Sequence, residues 1–157
     1  MTLPNKTLDG GRRPSDTAWP LLADSPPPLG AHLVTPRRRY THHGIYAGQG
    51  IVVQYAGFMH GLQTGPVEEI TLAEFTRGHP LFVRSRGPAR FDAEEVVRRA
   101  RSRMGENRYR ILTNNCEHFC EWCVYAEHRS EQVDRWLAPM RRALELPRAL
   151  WPATAGQ

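Results

Sequence analysis

The sequence predicts an α+β fold in which a small antiparallel β-sheet packs against helices, and three observations lead there. Short β-rich segments separated by glycine-bearing turns occupy residues 31–85. From Asp92 onward apolar residues recur instead at helical spacing. The chain, 157 residues at 40% hydrophobic, is long enough for one compact domain with a real core and short for two.

Residues 1–29 are polar and proline-rich, ending in Pro26-Pro27-Pro28, and cannot bury enough surface to offset the entropy of ordering them. A flexible arm is expected. Residues 31–35 form an apolar run suited to a first strand, followed by a basic turn over 36–39. Segments 40–47 and 51–56 are β-rich and flank Gly48-Gln49-Gly50, where glycine supplies the positive φ of a tight hairpin. Residues 67–70 and 81–85 predict two more strands, with a single helical turn over 72–77, stopped by Gly78, between them. Asp92 with Glu95 three positions on opens a helix whose apolar positions are Val96, Val97, Ala100 and Met104, ending at Gly105. Asn114 or Asn115 caps the next helix, which carries Cys116, Phe119, Cys120, Cys123 and Val124 near one face, expected in the core. A last helix from Ser130 sets Val133, Trp136, Leu137, Met140 and Leu144 against Arg135, Arg141 and Arg142, and Pro139 within it predicts a kink or break. Pro139 and Pro147 shorten any amphipathic surface, so core packing is favoured over lying on a bilayer.

The formal charge of +5 rests on arginine, which supplies all but one of the 21 cationic residues, Lys6 being the exception. Guanidinium pairs with phosphate or carboxylate, so nucleic acid, an anionic membrane surface and acidic substrates all fit the charge. No aromatic-interleaved stacking platform accompanies the arginines, and nucleic acid is not expected. Three cysteines at 116, 120 and 123 cannot all pair and suit a reducing compartment, so the chain reads as cytoplasmic. No apolar run approaches the roughly 18 residues of a membrane span, which leaves peripheral contact as the mode of membrane approach.

Cys116 carries the main chemical signal. The first N–H groups of a helix are unsatisfied and partly positive, so a cysteine there is expected to have its thiolate stabilised, and an adjacent imidazolium would lower its pKa further. The same N–H groups can receive the oxyanion of a tetrahedral intermediate. The competing reading is an inert, buried cysteine on an apolar helix face. For the base, His42 and His43 sit in a predicted strand and point to opposite faces, so at most one faces Cys116. With a hairpin loop of Ala47-Gly48-Gln49, residues 42 and 54 fall directly opposite each other, and Gln54 could orient the His42 ring as the third member of a triad does. His43 reads as a partly exposed strand residue, His118 as structural, and His32, His60, His79 and His128 have no evident partner. Cys116, Cys120 and Cys123 match an iron–sulfur spacing, but their helical context fits core cysteines better, and one helix cannot present four tetrahedral zinc ligands. No metal or cofactor is expected.

Several motifs are familiar in combination: Tyr40-Thr41-His42-His43-Gly44-Ile45-Tyr46-Ala47-Gly48; Val67-Glu68-Glu69-Ile70 with Leu72 and Phe75; Arg99-Ala100-Arg101-Ser102-Arg103 with Gly105-Glu106; Asn114-Asn115-Cys116-Glu117-His118-Phe119 with Trp122-Cys123; and Ser130 with Gln132-Val133. In this order they resemble the bacterial branch of the lecithin:retinol acyltransferase-like proteins, a circularly permuted offshoot of the papain-like cysteine peptidases and amidases. The resemblance runs from about Gly30 to Val133 and implies a catalytic domain over 30–133, a flexible arm over 1–29 and a C-terminal helical extension over 134–157. It implies Cys116 as nucleophile and His42 as general base, with Gln54 where the family carries a second histidine. It also implies an acyl-cysteine thioester formed from a donor such as a phospholipid and passed to an alcohol, an amine or water. Amide cleavage by the same pair, and a silent lipid- or protein-binding module, are the alternative readings.

Overall fold

Alternating side chains between 32 and 71 and helical spacing beyond 92 give the expected α+β architecture in the computed structural model, which describes residues 17–20, 25–60, 63–128 and 130–144. Along the chain lie β1 (Thr17–Pro20), β2 (His32–Pro36), β3 (Thr41–Gly48), β4 (Ile51–His60), β5 (Gln63–Thr71), α1 (Leu72–Thr76), β6 (Phe82–Ser85), α2 (Ala93–Ser102), α3 (Cys116–Tyr125) and α4 (Glu131–Leu144). The six strands form one antiparallel sheet in the order β1-β6-β2-β3-β4-β5.

Part of the expected arm is therefore strand. Thr17–Pro20 pairs with β6, from Thr17 opposite Ser85 to Pro20 opposite Phe82. Backbone pairing of an edge strand needs little apolar surface of its own, which is why composition missed it. Residues 1–16 and 21–24 of the arm, and 145–157 of the C-terminal extension, lie outside the described residues.

The β3–β4 hairpin corrects the expected register. Gly48 faces Ile51 across a two-residue loop of Gln49 and Gly50, whose φ angles of 50° and 75° are those of a primed turn. Gly48, itself at φ 88°, sits at a bulge between the two halves of the ladder. Gln54 consequently pairs with Gly44 rather than with His42. A two-residue slip preserves the face, because the side-chain period is two.

That parity divides the core. Leu33, Tyr46, Val52 and Val83 point to one face and enclose Phe75 of α1. Gly44 lies among them, and a Cβ there would stand 2.6 Å from Val52 Cγ1 and 2.8 Å from Phe75 Cε2, so glycine is what lets the Phe75 ring approach. Ile45, Val53, Tyr55 and Val67 point to the other face and pack under α2 and α3 through Val96, Ala100, Phe119, Cys120 and Cys123. Each fully buried residue of this kind contributes roughly 1.5–3 kcal/mol.

Local signals set the helix ends. Thr71 and Glu74 form a capping box at α1, and Arg77 closes it in the left-handed region, one residue before Gly78. Asp92 caps α2 by accepting from the Glu95 N–H. α4 continues through Pro139, so of the expected kink or break the break is absent. Its apolar face is only partly core: Val133 is buried, but Trp136 and Met140 are 55% and 63% exposed. α4 also straddles the expected domain boundary at 133.

Candidate active site

Asn115 fixes where α3 begins. Its side-chain oxygen accepts from the N–H groups of Glu117 and His118 at 3.0 Å each, and His118 Nδ1 receives the Asn115 N–H, giving His118 the structural role expected of it. Cys116 is thereby the first helical residue, 3% exposed. The approach loop is anchored by Glu106, whose carboxylate accepts from Arg103, Asn114 and Tyr55. Those donors outweigh partial burial and hold Glu106 down to about 2, with Arg103 the largest contributor.

Cys116 comes from the α3 face of the sheet, whereas His42 lies by parity on the α1 face. They share a cavity because the β3–β4 ladder stops at Gly44 opposite Gln54. Beyond that point the backbone of β3 turns to the cysteine: Thr41 O stands 4.0 Å from Cys116 Sγ, and the His43 N–H bonds to the sulfur. The resulting cavity, about 280 Å³, is lined by His42 and Cys116 together with Tyr40, Tyr109, Ile111 and Trp136, among others. This is close to the ~300 Å³ lower bound of small-molecule sites.

Gln54 reaches His42 diagonally, with Oε1 2.6 Å from Nε2. The amide is oriented by Glu68, directly opposite Gln54 on β5, which accepts from Gln54 Nε2 at 3.0 Å. A carboxylate oxygen here accepts only, so Gln54 must turn its NH2 to Glu68 and its carbonyl to His42. His42 then carries its proton on Nε2 and leaves Nδ1 as the acceptor. Phe75 supports the ring from beneath, with centroids 5.2 Å apart. Only the register of three strands reveals this role of Glu68.

The electrostatics run against the expected thiolate. Burial pushes Cys116 up to about 11, and the N–H groups of His43 and of the helix start only partly oppose it. Burial likewise lowers His42 to about 4 despite its bond to Gln54. The resting pair is a neutral thiol and a neutral imidazole, because desolvation outweighs the helix end. Tyr109, whose hydroxyl bonds to both the thiol and the backbone N–H of Cys116, is raised by the same burial.

His43 is a second correction. Far from partly exposed, it is 1% exposed beneath α3, with Nδ1 2.8 Å from His32 Nε2. Behind the pair lie two acidic residues of α3. Glu117 bonds to Arg84 at 2.6 Å and to the Ser130 hydroxyl at 2.5 Å, and Glu121 bonds to Arg86 at 2.5 Å. Burial alone would raise Glu117, but His43, Ser130 and Arg84 together hold it well below the carboxylate range. Cys120 and Cys123 are buried core thiols, both raised by burial. Among the described residues no group of three or more His, Cys, Asp or Glu side chains could hold a metal ion, and no helix is long and apolar enough to cross a membrane.

Comparison with known proteins adds a family. The model described as lecithin retinol acyltransferase matches residues 25–129. The lecithin retinol acyltransferase of Bos taurus is 28% identical over 131 residues, covering 66% of this chain and 57% of that protein. Those of Mus musculus and Homo sapiens are 44% and 46% identical over 43 residues, 27% of this chain and 19% of each relative. The matched segment thus spans little more than half the length of the bovine relative, and far less of the other two.

Proposed function

The chain belongs to the lecithin retinol acyltransferase family, and from that premise we propose that it is a cysteine-dependent acyltransferase or phospholipase A-like hydrolase working through an acyl-Cys116 thioester. The observation that carries the reading is the convergence of a helix-start thiol and a Gln54-oriented imidazole on one cavity.

The neutral resting pair defines the first step. As the sulfur attacks the acyl carbonyl, His42 Nδ1 takes the Cys116 proton, so charge develops only with substrate bound and water displaced. The ester C–O bond then breaks, and the imidazolium returns its proton to the departing alkoxide, leaving acyl-Cys116 and a lysolipid alcohol. An incoming alcohol, amine or water gives its proton to His42, attacks the thioester carbonyl and restores the thiol. The N–H groups that open α3 are already bonded, those of Glu117 and His118 to Asn115 Oδ1 and that of Cys116 to the Tyr109 hydroxyl, so an oxyanion formed there must displace or share one of these acceptors. Gln54 keeps the imidazole in the productive tautomer throughout. The protein works in the cytoplasm and meets the donor peripherally, at a lipid surface.

Phospholipid labelled in its acyl chain, offered beside an N-acyl amide of the same chain, tests the reading. Release or transfer of the chain from the ester, abolished in Cys116→Ser, is expected. Turnover of the amide alone would assign the pair to amide cleavage, and no turnover or adduct from either would make the domain a silent binding module.

A further inference from the structure

His32 and His43 are buried imidazoles that the chemistry at Cys116 leaves unused. His43 is the strand neighbour of His42, so its ring points to the opposite face, beneath α3. His32, on β2 and equally buried, meets it with Nε2 2.8 Å from His43 Nδ1, the ring centroids 5.1 Å apart. On its other side His32 Nδ1 faces Oε1 of Glu121 on α3 at 3.6 Å, and Arg86 holds the second oxygen of that carboxylate at 2.5 Å. A carboxylate so paired accepts only, so His32 turns its Nδ1–H to Glu121 and offers Nε2 to the Nδ1–H of His43. One polar chain thus ties β3, through β2, to the helix that begins with Cys116.

The place where β3 meets α3 is the sulfur. Because the β3–β4 ladder ends at Gly44 opposite Gln54, residues 41–43 turn their polar backbone edge to Cys116 instead of to a strand: Thr41 O stands 4.0 Å from Sγ, and the His43 N–H donates to it. The N–H groups that open α3 are taken by Asn115 and by the Tyr109 hydroxyl. We propose that the His43 backbone N–H is a catalytic donor to the sulfur as it loses its proton to His42, and that His32 is the positioning residue that keeps this donor in place. The proposal rests on the acyl-transfer reading of Cys116 and adds two groups to it. No bond is made or broken at either; the N–H meets the negative charge that forms on sulfur, and a hydrogen bond to a charged acceptor changes a rate by about tenfold or more. Neighbours 42 and 43 then divide the labour: one ring takes the proton, and the other anchors the backbone that receives the charge.

Amide hydrogen exchange read by NMR on the full chain, without substrate, tests the placement. The His43 N–H is expected to exchange slowly in the wild type and about tenfold or more faster both in Cys116→Ala, which removes its acceptor, and in His32→Leu, which releases its ring. His32→Gln keeps an amide within reach of His43 and should restore slow exchange. Acylation by phospholipid labelled in its acyl chain then reads the chemistry. His32→Leu should lower the maximal rate constant about tenfold or more, with the half-saturating lipid concentration unchanged, and His32→Gln should recover most of the loss. Loss of folded protein alone lowers the amount of acyl-enzyme formed rather than its rate constant, which separates positioning from stability. Should the leucine variant not fold, His32→Asn, which keeps a donor for Glu121 but is too short to reach His43, repeats both measurements. Exchange at His43 indifferent to Cys116→Ala, or acylation as fast in the Leu or Asn variant as in the wild type, would overturn the proposal. Exchange that answers to both changes in a wild type that forms no acyl-enzyme would instead sink the acyl-transfer reading, leaving His32 as what positions the donor to the sulfur.

Discussion

Gln54 offers the sharpest perturbation, because the structure gives it one task. Its carbonyl lies 2.6 Å from His42 Nε2, and its NH2 is committed to Glu68. Gln54→Ala deletes both bonds and strands the His42 N–H in a residue that is only 6% exposed. Leaving a buried donor unsatisfied costs about 1–3 kcal/mol. The imidazole also loses what holds it in the Nε2–H tautomer, so the cost falls on proton abstraction from Cys116. At 1.36 kcal/mol per decade, the acylation rate should fall roughly 5- to 150-fold. Gln54→His restores a ring nitrogen as acceptor and should retain or raise the rate. Single-turnover acylation, read as the rate at which labelled chain appears on protein, separates this from changes in substrate affinity. Equal rates for wild type, Gln54→Ala and Gln54→His would refute the reasoning and remove Gln54 from the site.

Further outcomes follow from the same geometry. His42 and His43 are held neutral by burial, at about 4 and about 3, so between pH 6.5 and those values the unfolded chain binds more protons than the folded one. Stability should be full above pH 6.5 and fall on acidification, by about 2 kcal/mol from His42 alone by pH 5, measured by urea unfolding; an unchanged midpoint between pH 7.5 and 5 would contradict this. Gly44→Ala drives a methyl into Val52 and Phe75 and should cost about 1–3 kcal/mol, with slower acylation as the support of the His42 ring shifts. Glu117→Gln removes the carboxylate that Arg84 meets at 2.6 Å in the core and should cost about 3–5 kcal/mol, visible as a lowered melting temperature.

What could be read from the sequence was what local chemistry decides. The pair Asn114-Asn115 marks the start of α3 to within a residue, and with it the position of Cys116, because capping involves residues within one turn; the structure makes Asn115 the cap. His42 and Gln54 were legible as neighbours on one face even though the loop was assigned a residue too early, since a two-residue register error leaves parity intact. Two glycines around Gln49 permit either loop, and only the bulge at Gly48 distinguishes them. The His32–His43 contact and the Glu68 partner depend on how three strands align, information that no single segment holds. The direction of the Cys116 shift is hidden from the sequence for the same reason. The helix end that favours thiolate is local, whereas the burial that opposes it is assembled by β3, α3 and Tyr109 together. Trp136 has the spacing of a core residue, and only the placement of α4 leaves it at the cavity mouth.

The central claim is that Cys116, served by His42, carries the acyl group. Its most direct test is peptide mass mapping of the protein quenched during turnover of a labelled phospholipid, for wild type, Cys116→Ser and His42→Ala. A hydroxylamine-sensitive acyl group on Cys116 of the wild type, absent from Cys116→Ser and slow to form in His42→Ala, is the expected result. Acyl found on Cys120 or Cys123 instead, or formed as fast without His42, would contradict the account.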